Sequence, residues 1–315
     1  MSRLVYTGGI MVDIVLGVPR LPETGGDAYA SYHQTSVGGG FNVLAAARRD
    51  GLAGVFAGRT GVGPFADLVQ RALGDEGLAS CHPPVADLDN GFCVVLVDET
   101  TERTFITSPG AEEHVSAEAL RSLDVGDDDF VHVSGYALAS PTRSGPLSAW
   151  VSQLPAGPRL VVDASPLIDR VDPRILTTVL ARTDVLTCNA REAGIICGGS
   201  SGPAAAAMSI RRRLPAGAVV VVRDGSRGTW GGDEDTVEAW HVPAYRVAAV
   251  DSNGAGDAHA GVLIAALSTG STLREAVVRA NVAAALAVTR HGPATAPTSA
   301  EIDEALQLYA RDLIR

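Results

Sequence analysis

Residues 251–261 of this chain read Asp-Ser-Asn-Gly-Ala-Gly-Asp-Ala-His-Ala-Gly, between a strand-like run that ends at Val250 and an apolar, alanine-rich stretch. Small residues ahead of a helix leave its first N–H groups uncovered at the positive end of the helix dipole. Gly254, Ala255, Gly256 and Asp257 therefore define a candidate anion site, suited to a phosphate or to the charge that develops while one is transferred. Asp257 is a carboxylate placed among donors that attract anions. It suits a general base that takes the proton of a hydroxyl as that hydroxyl attacks phosphorus. The position equally suits an ordinary aspartate N-terminal cap. The spacing is not the dinucleotide fingerprint, because His259 stands where the third glycine would be.

A scaffold must bring this segment to its partners. Short β-branched runs at residues 4–7, 55–57, 130–133, 160–162, 185–187 and 219–222 have the continuous apolar character of strands buried on both faces. Helical stretches at 42–49, 65–73, 117–123, 146–153, 173–181 and 204–213 lie between them, and helices at 258–267, 273–288 and 300–313 close the chain. This alternation predicts an α/β fold, a central mostly parallel sheet flanked by helices on both faces. Two stretches break the rhythm. Residues 14–36 are strand-like but carry turn residues at Pro19, Pro22, Gly25 and Gly26, and residues 91–107 offer two strand runs, 92–97 and 103–107, joined by a polar turn at 98–101. Together they predict a small β-sheet lid over a main body of residues 1–13, 37–90 and 108–315, or else two surface hairpins.

Composition narrows the partner. At roughly 100 to 200 residues per domain, 315 residues make one large domain or two modest ones, and 46% hydrophobic against 19% charged residues is the composition of a folded chain. The net charge of −11 argues against a broad grip on nucleic acid or on an anionic membrane, so a small-molecule partner is expected. All 25 basic residues are arginine. Without lysine there is no phosphate loop of the type that ends in lysine, no Schiff base and no pyridoxal-phosphate linkage. Cys81, Cys93, Cys188 and Cys197 lack metal-site spacing and are expected as buried free thiols. The first residues are too short an apolar run for a signal peptide, and no run approaches the ~18 apolar residues of a membrane span; a cytoplasmic enzyme is expected.

Residues 251–257 resemble the DTxGAGD motif of the PfkB (ribokinase-like) family of sugar and nucleoside kinases, with Ser252 and Asn253 in place of its threonines and His259 in place of the aromatic that follows. The resemblance implies that Asp257 is the catalytic base and that Gly254, Ala255 and Gly256 form the anion hole. Other segments agree in order. Gly8 and Gly9 with Asp13 are similar to the family's first strand and sugar-binding aspartate, and Gly38-Gly39-Gly40-Phe41-Asn42 to its glycine-rich sugar-binding turn. Residues 58–65 resemble the segment that follows, and Glu102-Arg103-Thr104 the second lid segment, with Arg103 available to an acidic sugar. Asn189-Ala190-Arg191-Glu192 resembles the NxxE motif, whose glutamate helps hold magnesium through water; the same spacing makes a helix capping box. Asp163, at a strand end, is a further candidate. Residues 219–228 are similar to the strand and glycine turn beside the nucleotide phosphates, which implicates Arg223 or Arg227 with Gly225 and Gly228. Asn281 resembles part of the adenine pocket wall. Residues 287–292, from Ala287 to Gly292, resemble a carbonyl-rich loop that binds a monovalent cation such as K+ in some members, with Asp251 and Asn253 as its other ligands.

The implied activity is transfer of the γ-phosphoryl group of ATP, with Mg2+, to a hydroxyl of a sugar or sugar-like acceptor by a carbohydrate kinase that dimerises through its lid. A nucleoside is the alternative acceptor, and Phe41, Tyr29, Tyr32, Phe92 and Phe105 are the aromatic residues near the implied pocket. A sugar or nucleotide sensor without turnover is a second class of reading, although it would not need Asp257, Glu192 and the anion-hole glycines together. A nicotinamide-dependent oxidoreductase lacks its GxGxxG turn after the first strand.

Overall fold

In order along the chain the strands are β1 (Arg3–Tyr6), β2 (Ile10–Gly17), β3 (Tyr32–Gly39), β4 (Ala53–Phe56), β5 (Ala79–Ser80), β6 (Phe92–Val97), β7 (Arg103–Ser108), β8 (Phe130–Ser134), β9 (Arg159–Asp163), β10 (Val185–Asn189), β11 (Val219–Arg223), β12 (Thr229–Gly232) and β13 (Trp240–Val242). The computed structural model describes residues 2–100, 102–199 and 202–312, so Thr101 of the expected lid turn and Leu313 at the end of the expected last helix lie outside the described residues. A nine-stranded sheet runs β13-β12-β11-β10-β9-β8-β1-β4-β5. Its strands from β11 to β5 are parallel, and β12 and β13 add an antiparallel edge. Those two edge strands were not expected; both are short, β12 contains two glycines, and neither has the β-branched run that marks the others.

The sheet is buried on both faces because side chains alternate along each strand. Leu4 and Tyr6 enter one apolar layer with Ala46, Val262 and Ala280, whereas Val5 enters the other with Val131, Leu160, Val220 and Ile196. The first layer holds helices Gly40–Arg49, Ala255–Ser268 and Leu273–Ala287. Helix Ala255–Ser268 is buried from Ala258 to Ala266, which explains its nearly all-apolar sequence. Among the described residues no helix is long and apolar enough to cross a membrane. All four cysteines are free, but Cys81 is exposed and Cys197 only partly covered, so burial holds for Cys93 and Cys188 alone.

The second sheet, in the order β3-β2-β6-β7, is the separate small sheet expected as the lid. It begins at Ile10 and continues to Gly39, so pairing draws Asp13 and the glycine turn into the small sheet itself, beyond 14–36. One face carries Asp13, Val15, Gln34, Ser36, Cys93, Val95 and Arg103 by the period-two rule, since Asp13 pairs with Ser36 and Cys93, Val15 with Gln34 and Val95, and Val97 with Arg103. The root of its second hairpin is pinned by one side chain: the buried Glu112 carboxylate accepts the N–H groups of Gly91 and Gly110, each at 2.8 Å.

Candidate active site

The C-terminal ends of parallel strands converge where the two sheets meet, the usual place for a site in such folds. Gly254 opens helix Ala255–Ser268 in the left-handed region, φ 74°, and a Cβ there would lie 2.0 Å from the carbonyl oxygen of Pro293. No side chain caps this N-terminus; the Ala255 N–H is directed at the Ser252 carbonyl at 3.4 Å, and the N–H groups of Gly256 and Asp257 stay available to an anion. Asp257 lies in that first turn. The amide of Asn42, from the glycine turn, donates to Asp257 Oδ2 at 2.8 Å. Burial is the main cause that raises the Asp257 carboxyl to about 7; Asp163 and Asp13 push the same way, while Asn42 and Arg223 oppose.

Asp13 faces the same space. A Cβ at Gly38 would lie 2.3 Å from Asp13 Oδ2, so any larger residue there would displace that carboxylate. Burial lifts the Asp13 carboxyl to about 6, with Arg103 opposing. Gly39, φ 62°, ends β3 and caps helix Gly40–Arg49, whose third residue is the buried Asn42. Asp13, Gly38, Gly39, Gly40, Asn42 and Asp257 are thus brought together by the glycine turn and the Asn42–Asp257 bond.

A second group lies at the ends of β9, β10 and β11. Arg223 is largely enclosed, its side chain 14% exposed, with its guanidinium 2.9 Å from Asp163 Oδ1, 2.9 Å from Thr187 Oγ1, 3.4 Å from the Gly256 carbonyl and 4.0 Å from Glu192 Oε2. It joins the anion loop to two carboxylates from below instead of standing free at a surface turn. Asn189 and Glu192 do form the capping box of helix Ala190–Cys197, with Glu192 Oε2 accepting the Asn189 N–H at 2.8 Å. The cap does not exclude a site role, because Glu192 is also buried against Arg223. Burial raises its carboxyl, which the Asn189 N–H and Arg223 partly offset. Arg227 instead pairs with Asp224 on the exposed turn between Gly225, φ 57°, and Gly228, φ 104°.

Other expected residues are placed differently. Arg103 reaches across from the small sheet to form an ion pair with Asp251, so in this conformation it binds a protein carboxylate and not an acceptor. Asp251 also accepts the N–H groups of Asn253 at 2.8 Å and Gly292 at 3.1 Å. Those bonds, with Arg103, hold its carboxyl below the usual range despite burial. The Ala287 carbonyl is taken by Thr295 and the Arg290 N–H. Asn281 is spent on structure: it accepts the Thr229 hydroxyl at 2.6 Å and donates to the carbonyls of Val242 and Pro243. A cavity of about 380 Å³ lies between the small sheet and this loop, lined by Val15, Tyr32, Val95, Arg103, Asp251 and Gly292 among others.

Tyr136 was not anticipated. It follows β8 at the start of helix Gly135–Ala139, is 55% exposed, and has its hydroxyl pushed up to about 12 by desolvation and the negative fields of Asp257 and Glu192. The sequence signal available was position alone, an aromatic just past the end of a parallel strand.

Residues 1–300 match the model of the pfkB family carbohydrate kinases, and the chain belongs to that family. It is a carbohydrate kinase. It is 29% identical over 311 residues to the uncharacterised sugar kinase YegV of Escherichia coli, covering 96% of this chain and 93% of the relative. It is likewise 29% identical over 324 residues to a fructokinase of Vibrio alginolyticus, covering 96% and 98%. The ribokinase of Giardia lamblia superposes with a TM-score of 0.84 over 97% of this chain and 100% of that one, at 23% identity.

Proposed function

We propose that this chain moves the γ-phosphoryl group of ATP to a hydroxyl of a sugar or sugar-like acceptor, with Asp257 as general base. The observation that carries the reading is the Asn42–Asp257 hydrogen bond at the uncapped start of helix Ala255–Ser268. It joins a carboxyl that titrates near neutrality, an anion loop and the acceptor turn in one place. A base is most effective when its pKa lies near the working pH. Asp13 and Asn42 orient the acceptor hydroxyls, the amides of Gly254, Ala255 and Gly256 receive the developing charge, and the lid sheet excludes water.

The buried carboxylates of Glu192 and Asp163, both within 4.0 Å of Arg223, fit a magnesium ion held mainly by phosphate oxygens and water. When bound, Mg2+ neutralises phosphate charge. Asn189, Arg223, Gly225 and Gly228 border the ATP side. The nucleoside alternative is favoured by the apolar part of the cavity, Val15, Val95 and Tyr32, and by the open ring of Tyr136.

The lid face opposite Asp13 carries Leu16, Val94, Leu96 and the 59% exposed Ile106, which supports a homodimer formed through the lid. The test of activity is ADP release with Mg2+ and ATP across pentoses, hexoses, sugar acids and nucleosides. The expected result is release that depends on one acceptor class and is lost in Asp257→Asn; release that survives in that variant would remove Asp257 as the base.

A further inference from the structure

With Arg103 in place, two carbonyls of the loop at 287–292 and the Asp251 carboxylate are already engaged, which leaves a bare monovalent cation few ligands there. A carbonyl oxygen has two lone pairs. Ala287 O receives Thr295 Oγ1 at 3.0 Å and the Arg290 N–H at 3.2 Å, and Val288 O receives the N–H groups of Val250 at 2.7 Å and Asp251 at 3.1 Å. Both are saturated. The Asp251 carboxylate is engaged as well: Oδ1 takes Arg103 and the Asn253 N–H, and Oδ2 takes the Gly292 N–H.

A positive charge is nonetheless needed there. Asp251 is largely buried, 14% exposed at its side chain, and it stands three residues ahead of Gly254, where phosphate charge would gather. An uncompensated carboxylate at that place would repel the transferring group and carry its own desolvation cost. Arg103 supplies the charge, and it cannot lose it at any pH a protein tolerates.

We infer that the Arg103 guanidinium stands in for a monovalent cation at Asp251, so that this chain needs no K+. The inference rests on the kinase reading above. Arg103 is a positioning residue: it acts through Asp251, whose hydrogen bonds to the Asn253 and Gly292 N–H groups hold the anion loop against residues 291–293. Its charge comes from β7 of the small sheet, 148 residues away in sequence. The counter-charge therefore reaches Asp251 only when the lid lies over the body, which couples closure on the acceptor to the shape of the phosphate loop.

The test compares KCl, NaCl and tetramethylammonium chloride at equal ionic strength, reading both acceptor-dependent ADP release and thermal midpoint. Wild type is expected to give the same rate, within about twofold, and the same midpoint in all three, since a cation that does not bind the native state shifts neither. Arg103→Ala is expected to lose roughly ten- to a hundredfold in kcat, the scale of a misplaced site. Removing Arg103 frees Asp251 Oδ1 for a small cation, so K+, but not tetramethylammonium, should recover part of that loss and raise the variant's midpoint; Arg103→Lys should retain most activity without K+. Activation or stabilisation of wild type by K+ overturns the inference, and so does Arg103→Ala that K+ neither rescues nor stabilises. Absence of acceptor-dependent turnover in wild type would instead sink the kinase reading, and the midpoints would still decide the role of Arg103.

Discussion

Asp257 joins two demands that pull its carboxyl in opposite directions. As the proposed base it must be ionised, yet burial and the charges of Asp163 and Asp13 hold its proton on to about pH 7. kcat/KM is therefore expected to fall tenfold per unit as pH drops below about 7, with a further step near 6 where Asp13 titrates. A rate independent of pH between 5 and about 8 would contradict this assignment. The effect on stability has a definite sign. Because the fold binds this proton more tightly than the unfolded chain does, stability falls as pH rises from the ordinary carboxylate range through about 7. Asp257→Asn removes the penalty, so its thermal midpoint should exceed that of wild type at about pH 8 and match it at about pH 5, while kcat drops by about 10²- to 10⁴-fold. Equal midpoints at both values would show that Asp257 is not strained as an anion.

At the scale of elements, two rigid joints set the site. Gly254→Ala forces a Cβ against the Pro293 carbonyl in a left-handed conformation, and a cost of about 1–3 kcal/mol in denaturant unfolding is expected from the backbone alone. Glu112→Gln leaves only one acceptor oxygen where the N–H groups of Gly91 and Gly110 both require one; about 1–3 kcal/mol of destabilisation and a raised acceptor KM, with ATP KM little changed, should follow. The parallel strands and helices could be read from the chain because continuous β-branched runs and alanine-rich stretches are local signals. The anion loop was equally legible, since small residues before an apolar helix have one obvious consequence. What could not be read was which distant side chains meet. Asn42 lies 215 residues from Asp257, and nothing local announces that bond or the Arg103–Asp251 pair. Arg223 could be read only as one of two arginines beside a glycine turn, because the enclosure of its guanidinium depends on Asp163 at the end of β9 and on Glu192 in helix Ala190–Cys197. The edge strands β12 and β13 escaped for a similar reason: the pairing of β12 with β11 and of β13 with β12, and not their composition, makes them strands.

For the whole molecule, the small sheet is at once the proposed wall of the acceptor site and the proposed partner surface. Asp13 and Ile106 lie on opposite faces of it, so association through Leu16, Val94, Leu96 and Ile106 would stiffen the element that carries Asp13. Ile106→Glu is expected to shift the chain to monomer in light scattering and to raise acceptor KM more than it lowers kcat; a wild type that is already monomeric removes the proposal.

The enclosed guanidinium of Arg223, fixed between Asp163 and Glu192, and that of Arg103 at Asp251 have a further consequence for where the enzyme can work. Both side chains keep their protons far into alkali; at Arg223 burial works against the charge, and Asp163 and Glu192 more than offset it. An ammonium in either place would begin to discharge near its ordinary pKa of about 10. The rate should therefore rise to a plateau with increasing pH and stay there, a one-sided curve without the descending arm of a bell, until the protein itself unfolds.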